Sequence, residues 1–138
     1  MTVLADTGAV YALMDRDDGW HDRVRAWWEA NREPIRLPVT VLAEITYLLA
    51  TRLGAAAESD FARAVADGEF AIEPLDDSVD LSRSADLMLT YRDAALGFVD
   101  ASVVAMGERI GVVSLLTTDR RRFSLLRPRH VPSFLLVP

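Results

Sequence analysis

Five short apolar runs divide the chain, and segments with helical periodicity separate most of them. The runs cover residues 3–5, 35–39, 70–75, 112–118 and 133–137. Strands that alternate with helices pair in parallel through right-handed crossovers, and the helices then cover both faces of the sheet. The pattern therefore predicts an α/β fold, a three-layer α/β/α sandwich around a mostly parallel sheet of about five strands.

The segments between these runs have the spacing and the boundary residues of helices. Helices are predicted over residues 8–14, 20–31, 40–53, 55–67, 76–92 and 99–110. Asp17 or Asp18 is placed to cap the second helix, and Thr40 to cap the third. A chain of 138 residues with no repeat and no linker predicts one domain, residues 1–138.

Composition excludes several classes of protein. The chain has no cysteine, which excludes disulfides, thiolate nucleophiles and cysteine zinc sites. Its apolar runs are too short to span a bilayer, and its first residues lack the basic region that begins a signal peptide. We therefore expect a cytoplasmic protein with no membrane partner.

Charge is distributed unevenly along the sequence. The net charge is −6, and all 15 basic residues are arginines. Residues 120–138 contain five arginines and no acid, so residues 1–119, with ten arginines and 21 acids, carry −11. The guanidinium groups of Arg120, Arg121 and Arg122 match phosphate geometry and are candidates for contacts with a polyanion. A solvated basic turn or a protein-binding surface is the alternative for this cluster.

Four acids occupy positions that call for an explanation. Asp6 ends the first apolar run and Asp119 the fourth, so both are expected at the carboxyl edge of the sheet, where ligands of such folds bind. Glu44 lies at the border of the apolar face of its helix, where an unpaired carboxylate is costly. Asp100 lies in the first turn of an apolar helix. Taken singly, the aspartates have ordinary roles as helix caps or as partners of a helix dipole.

Taken together, the four acids indicate a metal site. Converging carboxylates repel one another and become protonated unless a cation neutralises them. Oxygen ligands without histidine or cysteine suit a hard ion, Mg²⁺ or Mn²⁺. Such ions support displacement at phosphorus by lowering the pKa of water and stabilising the developing charge.

The segments that contain these acids resemble PIN-domain ribonucleases, specifically the toxin subunits of VapBC-type toxin–antitoxin pairs. The resemblance rests on LADTGAVYALMDRDD, PVTVLAEITYLL, GFVDASVVAMGERIGVVSLLTTDRRRF and SFLLVP, which occur in the family's order and span essentially the whole chain. It implies an endoribonuclease that cleaves single-stranded or loop RNA to a 5′-phosphate product. It also implies a homodimer that is neutralised by a cognate VapB-type antitoxin.

The resemblance also assigns roles to individual residues. It implies a catalytic set formed by Asp6, Glu44, Asp100 and Asp119. Of these, the three aspartates would bind one or two Mg²⁺ or Mn²⁺ ions, Asp6 and Asp100 most directly. Three further residues are assigned to the site more broadly. Thr7 and Thr118 would orient water or cap turns, and Asp93 is either a fifth acid of the site or a solvated residue at a helix end.

Three other function classes share parts of this pattern. A phosphoacceptor receiver module binds Mg²⁺ at a strand edge but normally uses a lysine near its acids, and the chain has no lysine. A PIN-fold nuclease of RNA processing that is not a toxin commonly has zinc modules, which the missing cysteines disfavour. A non-enzymatic RNA or protein binder on the same fold would not need four intact acids.

Overall fold

One five-stranded sheet organises the molecule. A computed structural model describes residues 1–138, with strands β1 (Val3–Ala5), β2 (Ile35–Pro38), β3 (Ala71–Glu73), β4 (Ser114–Leu116) and β5 (Leu135–Val137). Every neighbouring pair is parallel, and the order across the sheet is β3-β2-β1-β4-β5. The predicted α/β fold with its parallel sheet is confirmed, and each strand is shorter than or equal to the apolar run that predicts it.

Seven α-helices connect the strands. They are α1 (Thr7–Met14), α2 (His21–Ala30), α3 (Val39–Leu53), α4 (Ala55–Ala66), α5 (Val79–Thr90), α6 (Phe98–Ile110) and α7 (Arg120–Leu125). The sequence pattern predicts the first six and indicates only a short turn where α7 lies. Three arginines begin α7 and only Phe123 in it is buried, so it lacks a helical apolar stripe. None of the helices combines the length and the apolar character needed to cross a bilayer.

The predicted side-chain caps of α2 and α3 are wrong. Trp20 occupies the capping position of α2 without a side-chain hydrogen bond, and Asp18 accepts instead from the Trp20 amide at 2.8 Å in the preceding turn. α3 begins directly after Pro38, which leaves Thr40 inside the first turn. The hydroxyl of Thr40 lies 2.6 Å from that of Ser102, so it joins α3 to α6.

β1 and α6 form the centre of the core. β1 pairs with β2 on one side and β4 on the other, and its three side chains are at most 4% exposed. In α6, every residue from Ala101 to Gly107 is buried, so the middle of this helix is enclosed on all sides. A Cβ at Gly107 would lie 3.1 Å from the ring of Phe134 and 3.4 Å from Leu4. This close packing fixes α6, and with it Asp100 in the first turn of α6, against the sheet.

Two further buried acids, Asp80 and Glu73, stabilise the fold. Asp80 is 0% exposed, its two carboxylate oxygens share the Nε–H of Arg109 at 3.0 Å each, and its Oδ2 accepts from the Asp76 amide at 2.8 Å. Glu73 is 5% exposed and accepts from the Nε of Arg36 at 3.0 Å. These contacts join β2 to β3 and α5 to α6, which gives both carboxylates structural partners.

Replacing Asp80 with alanine should lower the free energy of unfolding by about 3 kcal/mol, because it leaves the Arg109 guanidinium without its buried partner. Urea denaturation followed by circular dichroism measures the change. Asp86→Ala is the matched control, since Asp86 is exposed on the same helix, and it should cost about 0.5 kcal/mol or less. Equal losses in the two variants would show that the buried ion pair contributes no special stability.

Candidate functional site

The carboxyl ends of β1 and β4 border a cleft of about 750 Å³. The strand order reverses at β1, with β2 and β3 on one side and β4 and β5 on the other, and parallel sheets bind ligands at such a reversal. Asp6 directly follows β1, and Asp119 lies three residues beyond the end of β4. The Asp6 amide donates to the Leu116 carbonyl at 3.0 Å, which joins the two strand ends. Both aspartates line the cleft.

Asp6 is the most buried acid of the cleft. Its side chain caps α1 by accepting from the Ala9 amide at 3.2 Å, and its residue exposure is 4%. Burial raises the pKa of Asp6 from its ordinary 3.8 to about 7, although hydrogen bonds from Thr117 and Ala9 oppose the rise. The negative charges of Asp100 and Asp119 raise it further. The Asp6 carboxylate is therefore costly to ionise unless a positive charge comes close to it.

Thr117 connects the two strand-end aspartates. Its hydroxyl donates to Asp6 Oδ2 at 2.6 Å and accepts from the Asp119 amide at 3.0 Å. Its own amide donates to the Val137 carbonyl at 2.9 Å, and the residue is 0% exposed. Thr117 has no role among the residues predicted from the sequence. The available signal is a hydroxyl residue placed between an apolar run and an aspartate.

Asp100 and Arg122 form a short ion pair inside the cleft. The Nη1 of Arg122 donates to Asp100 Oδ2 at 2.6 Å, and its Nε lies 3.7 Å from Asp119 Oδ2. Burial raises the pKa of Asp100 while the Arg122 guanidinium opposes the rise. Arg122, a candidate phosphate contact in the sequence, is thus bound to the acids themselves.

Glu44 lines the same cleft from α3 but is solvent-exposed. Glu44 borders the apolar face, one turn after the buried Val41 and one turn before the half-buried Leu48, but its exposure removes the expected cost of burying a carboxylate. Its side chain makes no hydrogen bond or ion pair within the protein, whereas its negative charge raises the pKa of Asp100. Glu44 therefore acts on the cleft through its charge.

Small and hydroxyl residues complete the wall beside Asp6. Thr7 and Thr118 both line the cleft, and the Oγ1 of Thr7 is buried without a hydrogen-bond partner. Gly8 is required by space, because a Cβ there would lie 2.6 Å from the Oγ1 of Thr118 and 3.9 Å from Asp6 Oδ1. Gly8 is not among the residues predicted from the sequence, although it stands in the Asp-Thr-Gly segment.

The remaining candidates lie at the margin of the cleft. Asp93 is exposed in the 3₁₀ turn Arg92–Ala94, and neither it nor Arg121 lines the cleft. Arg120 lies with its guanidinium carbon 5.9 Å from the ring centroid of Trp20, and Arg23 lies 4.9 Å from the same ring. Trp20 itself lines the cleft.

The donor set of the cleft fits a hydrated hard cation. No group of three or more acidic, histidine or cysteine side chains in the molecule encloses a metal position. Mg²⁺ does not need such a cage, since it usually keeps several waters and binds through one or two carboxylates. Asp6 and Asp100, which both line the cleft, would supply those carboxylates, and Thr7 in the same lining has a buried Oγ1 without a hydrogen-bond partner.

Comparison with known proteins gives one family and one fold. The sequence matches the PIN domain family over residues 3–127. It is 30% identical over 136 residues to Ribonuclease VapC26 of Mycobacterium tuberculosis, covering 99% of this chain and 100% of that protein. The structure is similar to that of Mycobacterium tuberculosis VapC20, described as a Sarcin-Ricin loop cleaving toxin (TM-score 0.80, 20% identity, 94% of this chain and 98% of that chain). It is also similar to VapBC2 from Rickettsia felis, bound to a DNA fragment from their promoter (TM-score 0.69, 14% identity, 99% and 97%).

The raised pKa of Asp6 has a consequence for stability. Because the folded pKa of about 7 exceeds the ordinary 3.8, the folded protein binds more protons than the unfolded chain between these values. The contribution of Asp6 to the free energy of unfolding therefore decreases as pH rises through this window and is constant above it.

Asp6→Asn should remove this part of the pH dependence. In EDTA buffer, the variant should gain stability relative to the wild type at pH 8 and gain less or lose at pH 4, as measured by urea denaturation. Asp86→Asn, an exposed acid outside the cleft, should keep the wild-type profile. Parallel profiles of Asp6→Asn and the wild type would contradict the raised pKa.

Proposed function

The chain belongs to the PIN-domain family, and we propose that it is a divalent-cation-dependent endoribonuclease and the toxin of a VapBC-type toxin–antitoxin pair. The observation that carries the proposal is the convergence of four acids on one cleft at the strand-order reversal: Asp6, Glu44, Asp100 and Asp119. The pKa of Asp6, raised to about 7 by burial, adds support, because such a carboxylate favours a nearby cation. The resemblance to named ribonucleases supplies the reaction.

Asp6 and Asp100 are the residues we assign to the cation, with Asp119 as the third carboxylate. Mg²⁺ is the expected ion and Mn²⁺ the alternative, since both prefer oxygen ligands. The bound ion would lower the pKa of water and stabilise the charge that develops at phosphorus. Thr117 keeps Asp6 and the Asp119 backbone in register through its two hydrogen bonds. Near neutral pH the Asp6 carboxyl is protonated in part of the molecules, and cation binding would release that proton.

Glu44 is the residue we assign to proton transfer. It is exposed to the cleft and is unpaired within the protein, so its carboxylate is available to accept a proton from an attacking water. The hydroxyls of Thr7 and Thr118 would orient that water. A general base must reach the proton that it removes from water, and it need not be buried to do so. The exposure of Glu44 is therefore compatible with this role.

RNA with an unpaired or loop segment is the proposed substrate. The description of VapC20 as a Sarcin-Ricin loop cleaving toxin supports this class. At the margin of the cleft, Arg23 and Arg120 flank the ring of Trp20 and have no carboxylate partner at ion-pair distance. Free guanidinium groups beside an aromatic ring suit the phosphates and bases of a single strand. Arg121, on the first turn of α7, would extend the basic margin.

Protein partners complete the proposal. We assign a VapB-type antitoxin as the neutralising partner and a homodimer as the assembly state, with the whole chain, residues 1–138, acting as one domain. The structural similarity to VapBC2, a toxin–antitoxin complex by its name, supports the first assignment.

Purified protein should cleave a loop-containing RNA in Mg²⁺ or Mn²⁺ and lose this activity in EDTA. Asp6→Asn, Asp100→Asn and Asp119→Asn should each lower the rate by about a hundredfold or more, as should Glu44→Gln, because each removes a group that acts on the reacting atoms. Gel electrophoresis of end-labelled RNA measures the rate and the 5′-phosphate product. Asp93→Asn is the matched control: it removes an exposed acid that does not line the cleft, and it should cleave at the wild-type rate.

Wild-type cleavage that persists in EDTA, or full activity of Asp100→Asn, would contradict the metal mechanism. Loss of activity in Asp93→Asn would instead place the fifth acid in the site.

Induced expression of the chain should arrest growth, and coexpression of the cognate antitoxin should restore it. The Asp100→Asn variant should permit growth while still binding the antitoxin in a pull-down, because this substitution changes the cleft and preserves the fold. An active nuclease that does not arrest growth would favour an RNA-processing role over a toxin.

A further inference from the structure

Arg122 occupies the position between two carboxylates of the cleft. Its Nη1 is 2.6 Å from Asp100 Oδ2, and its Nε is 3.7 Å from Asp119 Oδ2. A third contact is made by its backbone, whose amide donates to Asp119 Oδ1 at 3.0 Å. One arginine thus binds Asp119 by both its backbone and its charge, and reaches across to Asp100 on another helix.

We infer that Arg122 is an internal competitor of the divalent cation and thereby sets the cation affinity of the site. The inference rests on the proposed cation site and adds a residue that opposes it. Arg122 acts through Asp100 and Asp119, so it is a positioning residue with no assigned contact to the reacting atoms.

The competition follows from charge and distance. A charge-assisted hydrogen bond as short as that to Asp100 uses the same oxygen charge that a metal ion needs. Mg²⁺ binds carboxylate oxygens at about 2.0–2.1 Å, so an ion on Asp100 Oδ2 would lie within a few ångströms of the guanidinium. Two positive groups at that separation repel each other strongly in a partly buried cleft. The cation can take both carboxylates only when Arg122 moves away.

The exposure of Arg122 allows its side chain to leave the two carboxylates. Its side chain is 39% exposed, and those of Asp100 and Asp119 are 22% and 44% exposed, so water can replace the contacts. Its backbone position depends on the Asp119 cap of α7 and not on the ion pair. Arg109 provides a contrast, because it donates both to Asp80, which is 0% exposed, and to the Pro74 carbonyl. The ion pair of Arg122 can therefore exchange while that of Arg109 holds the fold.

The test is Mn²⁺ affinity in the absence of RNA, measured by calorimetry or by electron paramagnetic resonance. Arg122→Gln should tighten Mn²⁺ binding about tenfold, the change expected when one charge-assisted hydrogen bond no longer has to break. Arg122→Lys keeps the charge but loses the planar fork, and its affinity should lie between the two. Arg121→Gln removes an equal charge from the same helix without an ion-paired acid, and its affinity should stay within about twofold of the wild type at 0.15 M salt.

Thermal melting supplies a second readout. In EDTA, Arg122→Gln should melt below the wild type because Asp100 and Asp119 lose their neutralising partner, and saturating Mn²⁺ should raise its melting temperature by more than it raises the wild-type value. Circular dichroism confirms folding, and Arg122→Lys carries the comparison if the glutamine variant does not fold.

Equal or weaker Mn²⁺ binding by Arg122→Gln would overturn the inference while leaving the proposed cation site intact. If neither the wild type nor the variants bind Mn²⁺, the cation site of the proposed function fails together with the inference.

Discussion

Parallel pairing of β1 with β4 is the constraint on which the site depends. It brings Asp6 within hydrogen-bond distance of Thr117, a residue 111 positions away in the sequence, and it places Asp119 at the same edge of the sheet. The pairing is stabilised by burial, because the side chains of both strands are almost fully enclosed. The apolar residues of two short strands therefore determine which polar residues meet at their ends.

The acids gathered there oppose the stability that the core provides. Asp6 is buried beside other negative charges, and its pKa of about 7 reflects that cost. The protein limits the cost locally, with hydrogen bonds from Thr117 and Ala9 to Asp6 and with the guanidinium of Arg122 at Asp100. Sites that concentrate like charge commonly store such unfavourable energy, which a ligand of opposite charge releases on binding.

Strand order along the chain and the acids at strand ends could be predicted from the sequence, because both follow from local hydrophobic patterns. The partners of those acids could not. Burial alone does not distinguish the acids of the cleft from structural acids, since the fully buried Asp80 is structural whereas the exposed Glu44 lines the cleft. Arg122 stands within three consecutive arginines, and only the helical geometry of α7 turns one of them toward Asp100. The roles of Thr117 and Gly8 likewise depend on contacts between elements distant in sequence.

The packing of α6 links the orientation of Asp100 in the cleft to the ion pair near the other end of the helix. Asp100 and Arg109 lie on this one helix, nine residues and roughly 14 Å apart along its axis. Because the residues between them, Ala101–Gly107, are buried on all sides, the helix cannot rotate about its axis without displacing its neighbours. The ion pair of Arg109 with Asp80 therefore helps to fix the rotation of α6 about its axis, although it does not contact Asp100. The direction in which Asp100 points depends on this ion pair and on the packing of the whole core.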